Sequence, residues 1–123
     1  MNVLVVDDTP DCREPLARFL RLAGYNATAV AGGVEALAHL HDHPTDLILL
    51  DLMMPEMDGI TFLRILRENE TWRDIPVIVV TALSDGPLLR KASDLGAKRS
   101  LLKSRFSGDD LLANIQEVCP SSL

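Results

Sequence analysis

The chain carries five polar residues that suit phosphate chemistry and that each closely follow a short apolar run: Asp7, Asp8, Asp51, Thr81 and Lys103. Three carboxylates in one pocket repel one another, so without compensation at least one of their pKa values would rise. A Mg²⁺ ion relieves this repulsion, because it takes oxygen ligands in an octahedron that a substrate phosphate often completes. The acidic residues therefore predict a magnesium site, provided that the fold brings them together.

The same residues suit the formation of a covalent phosphate. With the metal on Asp7 and Asp8, the Asp51 carboxylate is free to attack phosphorus and form an aspartyl phosphate. The Lys103 ammonium could neutralise one phosphoryl oxygen, and the Thr81 hydroxyl could donate a hydrogen bond to another. This chemistry requires that all five side chains lie on one rim of the fold.

The apolar runs before these residues predict buried β-strands. The strongest runs are unalternating and aliphatic, as in strands covered on both faces: Val3–Val6, Leu47–Leu50 and Val77–Val80. Two weaker candidates are Ala27–Val30 and Leu101–Leu102. Because ligands of such sheets bind at the carboxyl ends of parallel strands, the five polar side chains are expected to converge there.

Apolar residues at helical spacing separate the strands and predict five helices, whose apolar stripes span Leu16–Ala23, Val34–Ala38, Ile60–Leu66, Leu88–Leu95 and Leu111–Val118. Asp58 is placed to cap the third helix. Pro15 lies early in the first, which either begins near Asp11, with Pro15 in its first turn, or is kinked there. The alternation predicts a doubly wound α/β fold with a five-stranded parallel sheet.

Length and composition favour one globular domain over residues 1–123, with 47% hydrophobic and 24% charged residues. No apolar run approaches the roughly 20 residues that span a bilayer, and the N-terminus lacks the features of a signal peptide. A cytoplasmic protein is expected. Cys12 and Cys119 are not in metal-ligand spacing and are interpreted as free thiols, and His39, His41 and His43 as a solvated helix end.

The charge of the chain is uneven. The net charge of −6 disfavours direct nucleic-acid binding. The region Arg90–Arg105, however, contains six basic residues against one acid, a local +5 that leaves −11 on the rest. This basic region is either a solvated face or a docking surface for an acidic partner protein.

The residues in their order resemble the receiver domain of two-component response regulators. The resemblance covers the whole chain and rests on Asp7-Asp8, on Asp51 within LLDLMMPEMDG, on Thr81-Ala82 and on Lys103. It implies a flavodoxin-like fold with strand order 2-1-3-4-5. It also implies that Asp51 is the phosphoacceptor, that Asp8 binds Mg²⁺ directly and Asp7 through water, and that the Met53 carbonyl is a further ligand.

Three features depart from the family pattern. Ser104 stands where proline usually follows the lysine, and Ser100 stands where an aromatic residue usually swings inward on activation. Met53 and Leu83 occupy the positions two residues after Asp51 and Thr81, where neither side chain can align a hydrolytic water. We therefore expect a slowly hydrolysed phosphorylated state.

The function that the resemblance implies is a phosphoryl-accepting switch and not a metabolic enzyme. A sensor histidine kinase or a histidine phosphotransfer protein would donate to Asp51, and the domain, a monomer or weak dimer, would then engage a downstream partner through the basic region. The alternative is a degenerate receiver that binds proteins without phosphorylation. A phosphohydrolase is disfavoured, because Met53 occupies the place of its second aspartate.

Overall fold

The computed structural model describes residues 1–83 and 86–120. Five strands alternate with five helices in the order β1 (Asn2–Val6), α1 (Pro10–Leu22), β2 (Asn26–Val30), α2 (Gly33–Asp42), β3 (Leu47–Leu50), α3 (Gly59–Glu68), β4 (Val77–Thr81), α4 (Pro87–Asp94), β5 (Arg99–Leu102) and α5 (Gly108–Val118). In this part of the chain no helix is both long and apolar enough to cross a membrane.

The strands form one parallel sheet in the order β2-β1-β3-β4-β5, which confirms the predicted fold class. The chain runs from β1 to β2 on one side and then returns to β3 on the other, so the strand order reverses between β1 and β3. The register pairs Val6 with Leu50 and Leu50 with Val79. The carboxyl ends of β1 and β3 are therefore adjacent, with that of β4 next to them, at the position where such folds bind ligands.

Helices cover both faces of the sheet, which explains the unalternating apolar runs. One core cluster lies beneath α2, α3 and α4 and contains the fully buried Phe62 and Leu66. The other lies beneath α1 and α5 and contains Leu20 and Ile115. Successive residues of β1 alternate between the two, with Leu4 in the first and Val5 in the second. A buried side chain of this size contributes about 1.5–3 kcal/mol, so the central strands are firmly fixed.

Helix α1 begins at Pro10, with Thr9 as its N-cap residue, close to the predicted start. Pro15 is nevertheless inside the helix, beyond its first turn, so the prediction that placed it in the first turn was wrong. Both Pro15 and Asp11 are exposed. Water can therefore satisfy the Asp11 carbonyl, which the missing Pro15 amide would otherwise have bonded.

The apolar stripe predicted for α2 was in part wrong. Val34 is 53% exposed and Ala38 is exposed, whereas Gly33, Ala36 and Leu40 are buried. Gly33 faces the core because Met57 packs against it, so that a Cβ at Gly33 would lie 2.6 Å from the Met57 Sδ. Small residues thus form the buried side of this helix, and hydrophobicity alone did not reveal them.

Two local predictions are confirmed. The Asp58 carboxylate caps α3 and accepts a hydrogen bond of 2.7 Å from the Thr61 amide. Cys12 and Cys119 are both free and half-buried. The histidines depart in part from the expected solvated helix end, since His41 packs edge-on against Trp72 with ring centroids 5.0 Å apart.

Candidate functional site

Three carboxylates meet where β1 and β3 end. Asp7 and Asp51 are each only 4% exposed, and Asp8 is half-buried. One carboxylate oxygen from each residue lies within 4.8 Å of the others. The parallel register of β1 and β3 produces this arrangement, because Val6 and Leu50 are paired immediately before the acidic residues.

The Lys103 ammonium bridges two of these carboxylates. Its Nζ lies 2.8 Å from Asp7 Oδ2 and 3.0 Å from Asp51 Oδ2. Burial lowers the pKa of Lys103, but its hydrogen bonds to Asp7 and Asp51 outweigh this effect, so the pKa is raised above its ordinary value. The ammonium therefore remains charged and supplies part of the compensation that the acidic cluster needs.

Asp7 is held by three contacts. Its Oδ1 accepts a hydrogen bond of 2.9 Å from the Thr9 amide, its Oδ2 binds Lys103, and its backbone carbonyl accepts one of 3.3 Å from Arg13 Nη1. Thr9, and neither Asp7 nor Asp8, is the N-cap residue of α1. Within residues 1–83 and 86–120, the Asp8 carboxylate makes no hydrogen bond or ion pair, so it is the most available of the three.

Asp51 is fixed through both of its carboxylate oxygens and through its backbone carbonyl. Its Oδ1 accepts a hydrogen bond of 3.3 Å from the Met53 amide, and its Oδ2 accepts the one from Lys103. Gly59, the first residue of α3, packs so closely that a Cβ there would lie 2.5 Å from the Asp51 carbonyl oxygen. The helix can therefore approach the site only because residue 59 has no side chain.

Thr81 ends β4 beside the site and is fully buried. Its Oγ1 accepts a hydrogen bond of 3.3 Å from the Leu83 amide, and its carbonyl accepts one of 2.8 Å from the Lys103 amide. Ser100 lies on β5 opposite Val79 and is exposed, while Ser104 follows Lys103 in the next turn. The described peptide bonds are all trans, including those of this turn.

The three methionines after Asp51 differ in their burial. Met54 is buried and Met57 is half-buried, whereas Met53 is 55% exposed. The Met53 amide binds Asp51, so this exposed side chain stands two residues from the acidic cluster.

Sequence reasoning missed two residues that shape the site. Arg13 holds the turn after β1 through the Asp7 carbonyl, and nothing in its spacing distinguishes it from a surface arginine. Gly59 had a detectable signal, because a glycine directly after a helix cap suggests close packing.

The donor set fits a hard divalent cation. The cluster offers carboxylate oxygens and no sulfur or imidazole, and such oxygens are the ligands that Mg²⁺ prefers. Asp8 is the natural direct ligand, since both Asp7 oxygens are already engaged. The residues present could therefore hold Mg²⁺ without rearrangement of the buried strands.

A doubly wound parallel sheet with an acidic cluster, a bridging lysine and a buried threonine at its strand ends defines a class of phosphate-handling regulators. Residues 3–116 match the response regulator receiver domain family, and the chain belongs to this family. The resemblance recognised in the sequence is thereby confirmed. Receiver domains are signalling switches of two-component systems, so residues 3–116 form a regulatory domain.

Individual proteins support this assignment. A probable transcriptional regulator, ycf27 of Cyanidium caldarium, is 39% identical over 119 residues, which are 95% of this chain and 45% of that protein. The chain thus spans about half the length of the curated relatives it matches. The chemotaxis protein CheY4 of Vibrio cholerae superimposes with a TM-score of 0.88 at 31% identity, covering 95% of this chain and 97% of CheY4.

A third comparison concerns the metal. The receiver domain of sensor histidine kinase PA1611 from Pseudomonas aeruginosa is 29% identical, with a TM-score of 0.87 and 98% of each chain covered. That structure has a magnesium ion coordinated in its active-site cleft. The acidic cluster of the present chain lies at the strand ends of the same fold.

Proposed function

We propose that Asp51 accepts a phosphoryl group from a phosphohistidine of a sensor kinase or phosphotransfer protein, and that the resulting charge switches a partner-binding face. The observation that carries this proposal is the setting of the Asp51 carboxylate. It is buried, it is held by Lys103 and by the Met53 amide, and it lies beside two further carboxylates. A strand-end carboxylate with a merely structural role would not need this arrangement.

In the transfer step, an Asp51 carboxylate oxygen attacks phosphorus as the bond from phosphorus to the histidine nitrogen breaks, and the imidazole keeps the electron pair. Lys103 Nζ, now 3.0 Å from Asp51 Oδ2, moves its hydrogen bond to a phosphoryl oxygen. The Thr81 hydroxyl can donate to a second phosphoryl oxygen while still accepting from the Leu83 amide. Lys103 and Thr81 are thus proposed to sense the phosphoryl group.

Asp8, Asp51 and the Met53 carbonyl would hold Mg²⁺ directly, and Asp7 would act through water. The engagement of both Asp7 oxygens, against the unengaged Asp8 carboxylate, supports the direct role of Asp8 and the indirect role of Asp7. A bound ion would supply positive charge that offsets the charge of the phosphoryl oxygens. Lys103 compensates the acidic cluster through its ion pairs with Asp7 and Asp51.

The partner-binding face is proposed to include the basic region Arg90–Arg105. Five of its basic residues are exposed, namely Arg90, Lys91, Lys98, Arg99 and Arg105. An acidic protein surface complements this charge, and a protein of net charge −6 does not favour nucleic acid. We infer that residues 1–123 act as one cytoplasmic receiver domain, as a monomer or weak dimer, with a downstream protein as the target.

The test is phosphorylation by a small donor. The chain is incubated with Mg²⁺ and acetyl phosphate, and its intact mass is measured. We expect a gain of one phosphoryl group, lost in Asp51→Asn and retained in Asp58→Asn, a matched control that removes an exposed carboxylate of the same loop. No gain in the wild type would favour the alternative, a receiver that binds partners without phosphorylation.

A further inference from the structure

Two histidines form a compact pair at the end of α2. The rings of His39 and His43 stack with centroids 4.4 Å apart and planes inclined by 12°. The His43 amide donates to the His39 carbonyl at 2.9 Å, so the two residues retain helical spacing although His43 is the C-cap residue. Both imidazoles therefore lie on one side of a single helical turn.

The pair lines a pocket of mixed polar and apolar character at the amino-terminal edge of the sheet. The pocket has a volume of about 220 Å³, and its wall includes Asn2, Asn26 and Thr28 from β1 and β2. This volume is enough for a metal ion with several water molecules, each of which occupies about 30 Å³ in the liquid. The surrounding amide and hydroxyl groups can hydrogen-bond such water molecules.

The imidazole nitrogens are available for a ligand. Among the residues that the structure describes, neither ring donates or accepts a hydrogen bond or joins an ion pair. His43 is exposed and His39 is half-buried, so the nitrogens can be reached from the pocket and from solvent. At neutral pH most histidines are uncharged, and each then offers one nitrogen lone pair.

We propose that His39 and His43 together bind a divalent transition-metal ion of the kind that prefers imidazole, such as Ni²⁺, Cu²⁺ or Zn²⁺. Two histidines four residues apart on a helix form a recurrent half of such sites. Two metal–nitrogen bonds of about 2.0–2.1 Å at a tetrahedral angle place the nitrogens about 3.3 Å apart. The rings are stacked nearly parallel with centroids 4.4 Å apart, so both side chains must rotate before one nitrogen of each ring can point at the same ion.

This site is separate from the acidic cluster. The pocket begins at Asn2, the first residue of β1, whereas Asp7 follows the last. Five strand residues span about 16 Å at roughly 3.3 Å each. The chemistry also differs, since Mg²⁺ prefers the oxygens of the cluster and transition-metal ions prefer imidazole.

The site is expected to bind at moderate strength. In residues 1–83 and 86–120, the one group of three or more potential ligand side chains is the acidic cluster, so water must complete the coordination at the histidines. A structural zinc site has four protein ligands. The site has only two protein ligands, and no hydrogen bond among the described residues supports either imidazole. We therefore expect metal binding that saturates at micromolar concentration and that a chelator reverses.

The experiment is calorimetric titration of the untagged chain with Ni²⁺ at pH 7.5, in the presence of excess Mg²⁺ to occupy the acidic cluster. We expect one equivalent of Ni²⁺ to bind. His39→Ala and His43→Ala should each weaken binding at least tenfold, and His41→Ala should leave it unchanged. His41 is the matched control, because it lies on the same helix and packs on Trp72 instead. Ni²⁺ should also raise the Tm of the wild type and of His41→Ala only.

Several results would overturn the proposal. One is Ni²⁺ binding that does not saturate below about 1 mM Ni²⁺. Another is a loss of Ni²⁺ affinity in His41→Ala equal to that in the other two histidine variants. The third is a loss of Ni²⁺ affinity in Asp8→Asn that the histidine variants do not share. If His39→Ala has a lowered Tm without metal, His39→Gln serves as the second variant. Retained Ni²⁺ binding in a folded His39→Gln protein would equally contradict the assignment.

Discussion

The connection from β3 to α3 and the helix α4 lie on the same side of the sheet but are held very differently. In the connection from β3 to α3, Leu52 and Met54 are buried, Asp58 caps α3, and Gly59 packs against the Asp51 carbonyl. Helix α4 begins at Pro87 after the N-cap residue Gly86, which offers no side-chain cap. It spans eight residues, and Ala92 is the one buried residue among those that the structure describes there. The proposed phosphoacceptor, Asp51, is thus anchored far more firmly than α4.

This difference suits a switch. The acceptor carboxylate must keep its geometry for phosphoryl transfer, which favours dense packing around Asp51. The element that responds must have alternative arrangements of similar free energy, which favours few buried contacts. Because α4 contains the first two residues of the basic region, Arg90 and Lys91, we expect this weakly anchored helix and the proposed partner surface to overlap.

The largest expected effect is in the core beneath α3. Leu66→Ala, at a fully buried position, should lower the free energy of unfolding by about 3 kcal/mol. Leu88→Ala, at a half-buried position of α4, should lower it by about 1 kcal/mol. Urea unfolding measures both values. Equal losses would show that α4 is as firmly anchored as α3.

Gly59→Ala should lower the free energy of unfolding by about 2 kcal/mol and also slow phosphorylation. The added Cβ would lie 2.5 Å from the Asp51 carbonyl oxygen and 2.6 Å from the Leu52 Cα, so backbone must move. Gly32→Ala is the control, because its nearest neighbour is the flexible Glu35 carboxylate at 3.3 Å. If Gly59→Ala keeps wild-type stability and acetyl phosphate reactivity, the close packing does not position Asp51.

Lys103→Met should lower the free energy of unfolding by about 1–2 kcal/mol, because it leaves Asp7 and Asp51 without their shared cation. The pKa of Lys103 is raised in the folded state, so its contribution is complete below the ordinary lysine pKa of about 10.4 and declines above it. The difference between wild type and variant should therefore be constant from pH 7 to 9 and shrink at pH 11.

Urea unfolding at these three pH values tests the lysine prediction, with Lys98→Met as the control. Lys98 is exposed and makes no ion pair with any residue that the structure describes. A difference that varied between pH 7 and 9, or an equal effect of Lys98→Met, would contradict the bridging role of Lys103.

Met53→Asn should shorten the lifetime of the aspartyl phosphate by about tenfold, which corresponds to about 1.4 kcal/mol of activation free energy. Met53 is 55% exposed beside Asp51, and an amide there can align the water that hydrolyses the acyl phosphate, whereas a thioether cannot. Loss of phosphoryl mass over time measures the lifetime, and Met53→Leu should retain the slow rate. An unchanged or longer lifetime in Met53→Asn would disprove this explanation.

Much of the fold was predictable from local pattern. Val3–Val6, Leu47–Leu50 and Val77–Val80 were identified as strands because buried parallel strands need no polar face, and all of these residues are buried. Gly24 and Gly96 follow helical stripes and have positive φ, as helix ends require. Strand order followed from the family resemblance, because alternation of strands and helices does not specify which strands are neighbours.

The orientation of α2 was less predictable. Its stripe was assigned from Val34 and Ala38, yet the small residues Gly33 and Ala36 face the core. Hydrophobicity ranks valine above glycine, but a Cβ at Gly33 would lie 2.6 Å from the Met57 Sδ, so Met57 would have to move to admit one. Which side of a helix is buried depends on the volume available beneath it, and that volume belongs to the neighbouring elements.

The sequence by itself determined the α/β alternation and the residue types that suit phosphate chemistry. These depend on interactions local to a strand or helix, whose periodicity is visible in one dimension. Only the tertiary structure decided that Lys103 bridges Asp7 and Asp51, that Asp8 stays available, and that Met53 is exposed. These properties depend on distances between side chains that are up to 96 residues apart in the chain, which strand register and helix packing set.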